Sequence, residues 1–130
     1  MYEAETTAGS SMKQFKRSDR LAGQILRDIS ELLHYELTQA ITAMVTFTRV
    51  VMSEDLRYAK IYYSVLGTEE QHEEVVTYFQ HNMKTIRRQI GKNLRVRHIP
   101  ELTFVFDPSV EEGLRIETLL NDIRREREKE

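Results

Sequence analysis

The sequence predicts a single α+β domain whose three-stranded sheet carries helices on one side, and three observations point there. A helical apolar repeat begins near Ser18, two β-rich runs follow it, and a long amphipathic helix precedes a third alternating run. The chain has 130 residues, which suffices for one hydrophobic core and not for two.

Residues 1–14 include Thr6, Thr7, Gly9, Ser10 and Ser11, small and aperiodic, and predict a flexible N-terminal arm. They lack an apolar stretch of the kind found in signal peptides. In the first helix Leu21, Ile25, Ile29, Leu32 or Leu33, and Leu37 recur at helical spacing, and Ser18 is placed to cap its start. Two strand candidates come next, Ile41 to Ser53 and Tyr58 to Leu66. In the second, Ala59, Ile61, Tyr63 and Val65 alternate with Lys60, Tyr62 and Ser64, the period-two signature of a half-buried strand. The short charged connector Glu54–Arg57 makes the pair a hairpin.

Thr68 with Gln71 three residues later forms a capping-box pattern after Gly67. Glu69, Glu70, Glu73 and Glu74 then occupy the first turns of a long helix, where its dipole favours anions. Val76, Phe79, Met83, Ile86, Ile90 and Leu94 form the predicted apolar stripe. Lys84, Arg88, Lys92 and Arg95 project from another face, roughly 150° away at about 100° per residue. Pro100 forces an extended approach. Leu102, Phe104 and Phe106 alternate through a third strand that ends at Asp107-Pro108-Ser109. A last helix is expected from Val110 to about Arg125, anchored by Leu114, Leu119 and Leu120. Residues 121–130 form a charged, solvated tail.

Composition excludes several function classes. No cysteine is present, so there is neither a disulfide framework nor thiolate chemistry, in keeping with a cytoplasmic protein. No apolar run approaches the roughly 18 residues that cross a bilayer, so no membrane partner is expected. His34, His72, His81 and His98 are scattered without ligand spacing, and no metal or other cofactor is expected. No phosphate-cradling loop, nucleophile elbow or zinc helix is present, so neither an enzyme nor a small-molecule substrate is expected. Asp55 reads as a turn residue satisfying nearby backbone amides, not as one of a catalytic pair with Glu54.

The net charge of −2 conceals segregation. No acidic residue occurs between Val75 and Pro100, whereas Lys84, Arg87, Arg88, Lys92, Arg95 and Arg97 all fall there. Lys13, Lys16, Arg17 and Arg20 form a second basic group. A nucleic-acid footprint depends on such local charge and not on the sum. The order helix, strand, strand, helix or broken helix, strand, helix is shared with the KH domains of bacterial ribosomal proteins, a likeness at the level of fold alone.

The sequence likeness is more specific. The stretch Arg49-Val50-Val51-Met52-Ser53-Glu54-Asp55-Leu56-Arg57-Tyr58-Ala59-Lys60-Ile61-Tyr62 resembles the V-x-(V/M)-S-x-D-L-x-x-A-K-(V/I)-(Y/F) block of the ribosome-binding factor A family. Ile86-Arg87 followed by Leu94-Arg95-Val96-Arg97-His98-Ile99-Pro100-Glu101-Leu102-Thr103-Phe104-Val105-Phe106-Asp107 resembles its I-R…L-R-x-R-x-x-P-E-L-x-F-x-x-D block. Ser109, Glu111, Gly113, Ile116 and Leu119-Leu120 continue in step. Arg20, Ala22 to Ile25, and Ile29 match the first helix.

The likeness implies a type II KH-like domain over residues 15–120, in the order α-β-β-α-α-β plus a C-terminal helix. It implies a monomeric, non-enzymatic factor whose partner is the small (30S) ribosomal subunit or its precursor. Binding near the 5′-terminal helix of 16S rRNA would assist late maturation and rRNA processing, with importance in the cold. The family typically breaks its long helix at an Ala-x-Gly kink, where ordinary KH domains place a Gly-x-x-Gly clamp. The aligned residues here are Asn82, Met83 and Lys84. Asn82 tolerates left-handed backbone better than most residues, so a kink is expected there.

The RNA-contact candidates are therefore Lys84, Arg87, Arg88, Lys92, Arg95 and Arg97, with Lys16, Arg17 and Arg20 as a second group. Arginine suits the role because its planar fork grips phosphate with two hydrogen bonds. The competing readings are a solvated helix face for the first group and a mobile basic arm for the second. Arg95 or Arg97 could instead be a structural ion-pair partner. Tyr62, Tyr63 and Phe104 could stack on bases, but alternating strand aromatics more often pack in a core. In a rival reading the chain is a small interaction or dimerisation module whose basic face meets an acidic protein.

Overall fold

A computed structural model describes residues 17–41 and 43–128 with their side chains, and residues 2–16 and 129 only as backbone of the helices they belong to. The elements are α1 (Tyr2–Ala40), β1 (Met44–Met52), β2 (Tyr58–Leu66), α2 (Glu69–Asn93), β3 (Glu101–Phe106) and α3 (Ser109–Lys129). The side chains of residues 1–14, where an arm is expected, and of Lys16 lie outside the described residues. Ser18 is not a cap: it is a buried position within α1.

The sheet is mixed. β1 pairs antiparallel with β2 across the hairpin, and β2 pairs parallel with β3, with α2 as the crossover. Ala59, Ile61, Tyr63 and Val65 face the helices and are buried, as their alternation predicts. β1 needs a correction to its period to do the same. Phe47 lies opposite Tyr63 and Val50 opposite Ile61, with a bulge between Phe47 and Arg49. The bulge lets residues three apart face one core. Thr48 bridges the irregularity, its one hydroxyl hydrogen shared between the Tyr62 carbonyl at 3.3 Å and Asp107 Oδ2 at 3.1 Å.

α1 covers this face with Ala22, Ile25, Ile29, Leu33 and Leu37, and α2 with Val75, Phe79, Ile86 and Ile90. At the first turns of α2 the expected facing residue was Val76. It is instead 42% exposed and Val75 is fully buried, because the capping box sets the phase of the helix. In that box Thr68 Oγ1 accepts from Gln71 N at 3.2 Å, and Gln71 Oε1 accepts from Thr68 N at 2.8 Å. Gly67 permits it, since a Cβ there would strike Gln71 Oε1. Phe79 ties the layers together: its ring stacks on Phe104 of β3 at 3.9 Å and meets Tyr63 of β2 edge-on at 4.9 Å.

Two expectations are corrected. The helical stretch is not broken into two helices at Asn82-Met83-Lys84: α2 runs without interruption for 25 residues. Among the described residues only Leu56, in the hairpin turn, is a non-glycine with positive φ. Asn82 turns its side chain back on its own helix, Nδ2 donating to the Tyr78 carbonyl at 2.9 Å. With no glycine at the three positions, nothing there lowers the cost of leaving right-handed geometry. The second correction concerns α3. Leu114, Leu119 and Leu120 are not anchors but are 46%, 62% and 50% exposed. Among the described residues, the first turn of α3 is held through a 3.4 Å contact between Glu111 and His72, whose ring also lies against Phe106.

Candidate RNA-binding face

α2 is electrically polarised along its length. Glu69 and Glu70 lie in its first turn and Lys92 in its last, each sign where the helix dipole stabilises it. Lys84, Arg88 and Lys92 are four residues apart, so they line one flank, and all three are exposed. The buried residues Phe79, Ile86 and Ile90 leave that flank to solvent. Cations held this way, with no acid among them in the sequence, form an electrostatic stripe that suits a phosphate backbone.

Arg87 belongs elsewhere. Its side chain is half-buried, Nε donating to the Pro100 carbonyl at 3.0 Å and Nη2 to the Ile99 carbonyl at 2.7 Å. The guanidinium thus braces the loop that leads into β3, and its fork is spent on backbone oxygens. Gly91 brings the same loop close, because a Cβ there would strike Ile99 Cδ1 and come within 2.8 Å of its Cγ1.

Beyond α2, the chain brings one arginine of each basic group, Arg17 and Arg97, to a shared cleft. Gln24 Nε2 of α1 donates to the Asn93 carbonyl at 2.8 Å, joining α1 to the C-terminal end of α2. Arg17 and Arg97 line a shared cleft of about 350 Å³, together with Asp55, Leu56, Arg57, Val96 and His98. Arg20 and Arg95 are exposed and do not line it. Among the described residues, Arg17, Arg57, Arg95 and Arg97 form no ion pair. Arg95 and Arg97 are therefore not salt-bridge partners there.

Arg57 and His98 were not singled out from sequence as site residues. The signal that finds them is topological: β2 begins at Tyr58 and β3 at Glu101, and those residues are register partners in a parallel pair. The residues just before each strand must then meet at the same sheet end.

The turn forming one wall is internally bonded. Ser53 Oγ donates to Asp55 Oδ1 at 2.6 Å, and the Arg57 amide donates to the same oxygen at 3.1 Å. The Ser53 bond and then the Arg57 amide hold the Asp55 carboxyl below its usual range. Asp55 thus has the turn-residue role that its position suggests.

The aromatic candidates separate by face. Tyr63 is buried, and half-buried Phe104 packs on Phe79, so both belong to the core. Tyr62 is half-buried and alternates with the core-facing Ile61 and Tyr63, with the Arg49 guanidinium 4.0 Å from its ring centroid. Among the described residues no group of three or more metal-ligating side chains comes together, and no helix is long and apolar enough to cross a membrane.

Comparison with known proteins is consistent over nearly all of this architecture. The sequence profile described as ribosome-binding factor A matches residues 17–120. A protein named ribosome-binding factor A from Desulfitobacterium hafniense is 39% identical over 114 residues, covering 88% of this chain and 91% of its own. One of the same name from Syntrophus aciditrophicus is 37% identical over 117 residues, covering 90% and 95%. Among solved structures, ribosome-binding factor A from Thermus thermophilus superposes with a TM-score of 0.58 at 18% identity, over 68% of this chain and 93% of that one. A putative ribosome binding factor A from Thermotoga maritima gives a TM-score of 0.50 at 32% identity, over 69% and 82%.

Proposed function

The chain belongs to the ribosome-binding factor A family, and from that premise we propose that it binds the free small ribosomal subunit or its precursor through the basic flank of α2. The observation that carries this reading is the exposed row Lys84, Arg88 and Lys92, set apart from the buried face of the same helix. Side chains take over the role that a glycine clamp plays in ordinary KH domains, since α2 stays helical through Asn82–Lys84.

The action is occupancy without chemistry. Binding stabilises one arrangement of immature 16S rRNA near its 5′-terminal helix, assists late processing, and matters most in the cold, where misfolded RNA escapes slowly. It takes place in the cytoplasm, by a monomer of one RNA-binding domain with an arm before it and a charged tail after it. Arg20 adds long-range attraction on the side where α1 meets the end of α2, and Lys16 belongs to the same basic group of the sequence. Energy enters only as binding free energy, so release requires a competing partner or an RNA rearrangement.

The test is co-sedimentation with free small subunits and with intact ribosomes, beside the variant Lys84→Glu, Arg88→Glu, Lys92→Glu. The wild type is expected to pellet with free subunits and the folded variant to lose most of that binding. Excess ribosomal RNA should compete. Binding that survives the charge reversal would move the contact off α2; a wild type that ignores small subunits and seeks an acidic protein instead would sink the reading.

A further inference from the structure

Resting on the RNA-binding reading above, we propose that the cleft of Arg17, Arg57, Arg97 and His98 is a phosphate site that grips a single phosphate group of the bound RNA. Three arginines, Arg17 of α1, Arg57 of the hairpin turn and Arg97 of the α2–β3 loop, line it together with one carboxylate residue, Asp55. That carboxylate is already committed to Ser53 and to the Arg57 amide. None of the three arginines forms an ion pair within 4.0 Å among the described residues, and the one acidic residue lining the cleft with them, Asp55, feels the Arg57 charge. Positive charge left unpaired in a concave site, with planar forks able to donate in pairs, is the chemistry that selects phosphate.

The walls are positioned in advance. The Arg57 carbonyl accepts from the Glu101 amide at 2.8 Å, so its backbone is held on both sides while its side chain stays exposed. Leu56 takes a φ of 62°, which tightens the turn, and the Leu56 amide donates to the Ser53 carbonyl at 3.0 Å. Across the cleft, Arg87 fixes the carbonyls of Ile99 and Pro100, immediately after Arg97 and His98. Arg87 is thus a positioning residue for this cleft. A site built in advance loses less ordering free energy on binding than a row of mobile lysines does. The volume of about 350 Å³ equals on the order of ten water volumes at ~30 Å³ each, ample for a phosphate group and its remaining waters.

The experiment uses the full chain, its Arg57→Gln, Arg97→Gln double variant, and the charge-reversed α2 variant, each checked for a wild-type thermal transition. Anisotropy with labelled single-stranded RNA, with and without a 5′-terminal phosphate, is read across a salt series. Inorganic phosphate is titrated separately while the arginine side-chain NMR signals are followed.

The double variant is expected to bind RNA about tenfold more weakly, with a log–log salt slope shallower by about 0.7–0.9. Inorganic phosphate is expected to shift the Arg57 and Arg97 signals of the wild type. A greater loss on 5′-phosphorylated RNA identifies a terminal phosphate as the ligand, and an equal loss identifies an internal phosphodiester. If the double variant keeps full affinity and slope while the α2 variant loses them, the cleft proposal is overturned and the RNA-binding reading stands. If phosphate shifts the cleft signals in a protein that does not sediment with small subunits, the cleft stands and the ribosomal reading falls.

Discussion

The Tyr78 hydroxyl donates to Glu36 Oε2 at 2.6 Å, joining α2 to α1. Burial first, and then the hydrogen bond to Glu36, push this phenol up to about 12, above the ordinary tyrosine value of 10.0. The protonated form is the one the fold favours, so its contribution is fully present below pH 10 and is lost as pH rises toward 12. In a spectrophotometric titration, Tyr78 should ionise in a late step near pH 12. Tyr78→Phe should remove that late step and flatten the alkaline loss of stability; an unchanged profile would contradict the pairing. Residues of this kind are poorly legible in sequence, because Tyr78 and Glu36 are 42 positions apart. Asp55 is the opposite case. Its partners Ser53 and Arg57 are two residues away, so a turn role could be read directly from the local sequence.

Among the elements, local chemistry and tertiary contact divide the work unevenly. The Thr68–Gln71 capping box is encoded within a few residues and appears as the sequence predicts. So does the β2 alternation except at Ser64, which is buried although it was expected on the outward face. α3 shows where such reasoning stops. Its apolar residues at helical spacing do form a helix, yet Ile116, Leu119, Leu120 and Ile123 are each at least 48% exposed. Amphipathicity says that a face is apolar and not that a surface is available to cover it. Ending the chain after Gly113 keeps the His72–Glu111 contact and should change the melting temperature by less than about 2 °C. Calorimetry that showed a larger drop would place the stripe against the domain. The same limit governs α2, where a kink was expected from an aligned motif. Without glycine the continuous helix, capped at Thr68 and packed through Phe79, Ile86 and Ile90, is the lower-energy choice.

For the molecule as a whole, one aromatic ring couples the helical layer to every strand. Phe79 lies 6.1 Å from Phe47 of β1, 4.9 Å from Tyr63 of β2 and 3.9 Å from Phe104 of β3, centroid to centroid. Phe79→Ala should cost about 3–5 kcal/mol, a large part of the ~5–15 kcal/mol typical of a domain. Urea denaturation should show a lower midpoint in one transition, since a single core serves both layers. Two transitions, or a loss below about 1 kcal/mol, would mean that the layers are less coupled than the ring contacts indicate.

The sequence by itself determined the kinds and order of the elements, the hairpin, the cap of α2 and the separation of basic charge from the apolar stripe. Each depends on interactions within a turn or two, where periodicity and backbone preference act directly. Tertiary structure alone decided which cations share a site. Arg17, Arg57 and Arg97 meet because β3 pairs parallel with β2, which returns the loop before β3 to the hairpin turn, and because Gln24 ties α1 to the end of α2. It also withdrew Arg87 from the charged face to brace that loop. Convergence over such separations is set by strand pairing and helix packing, which depend on the whole chain at once and leave no short pattern to read.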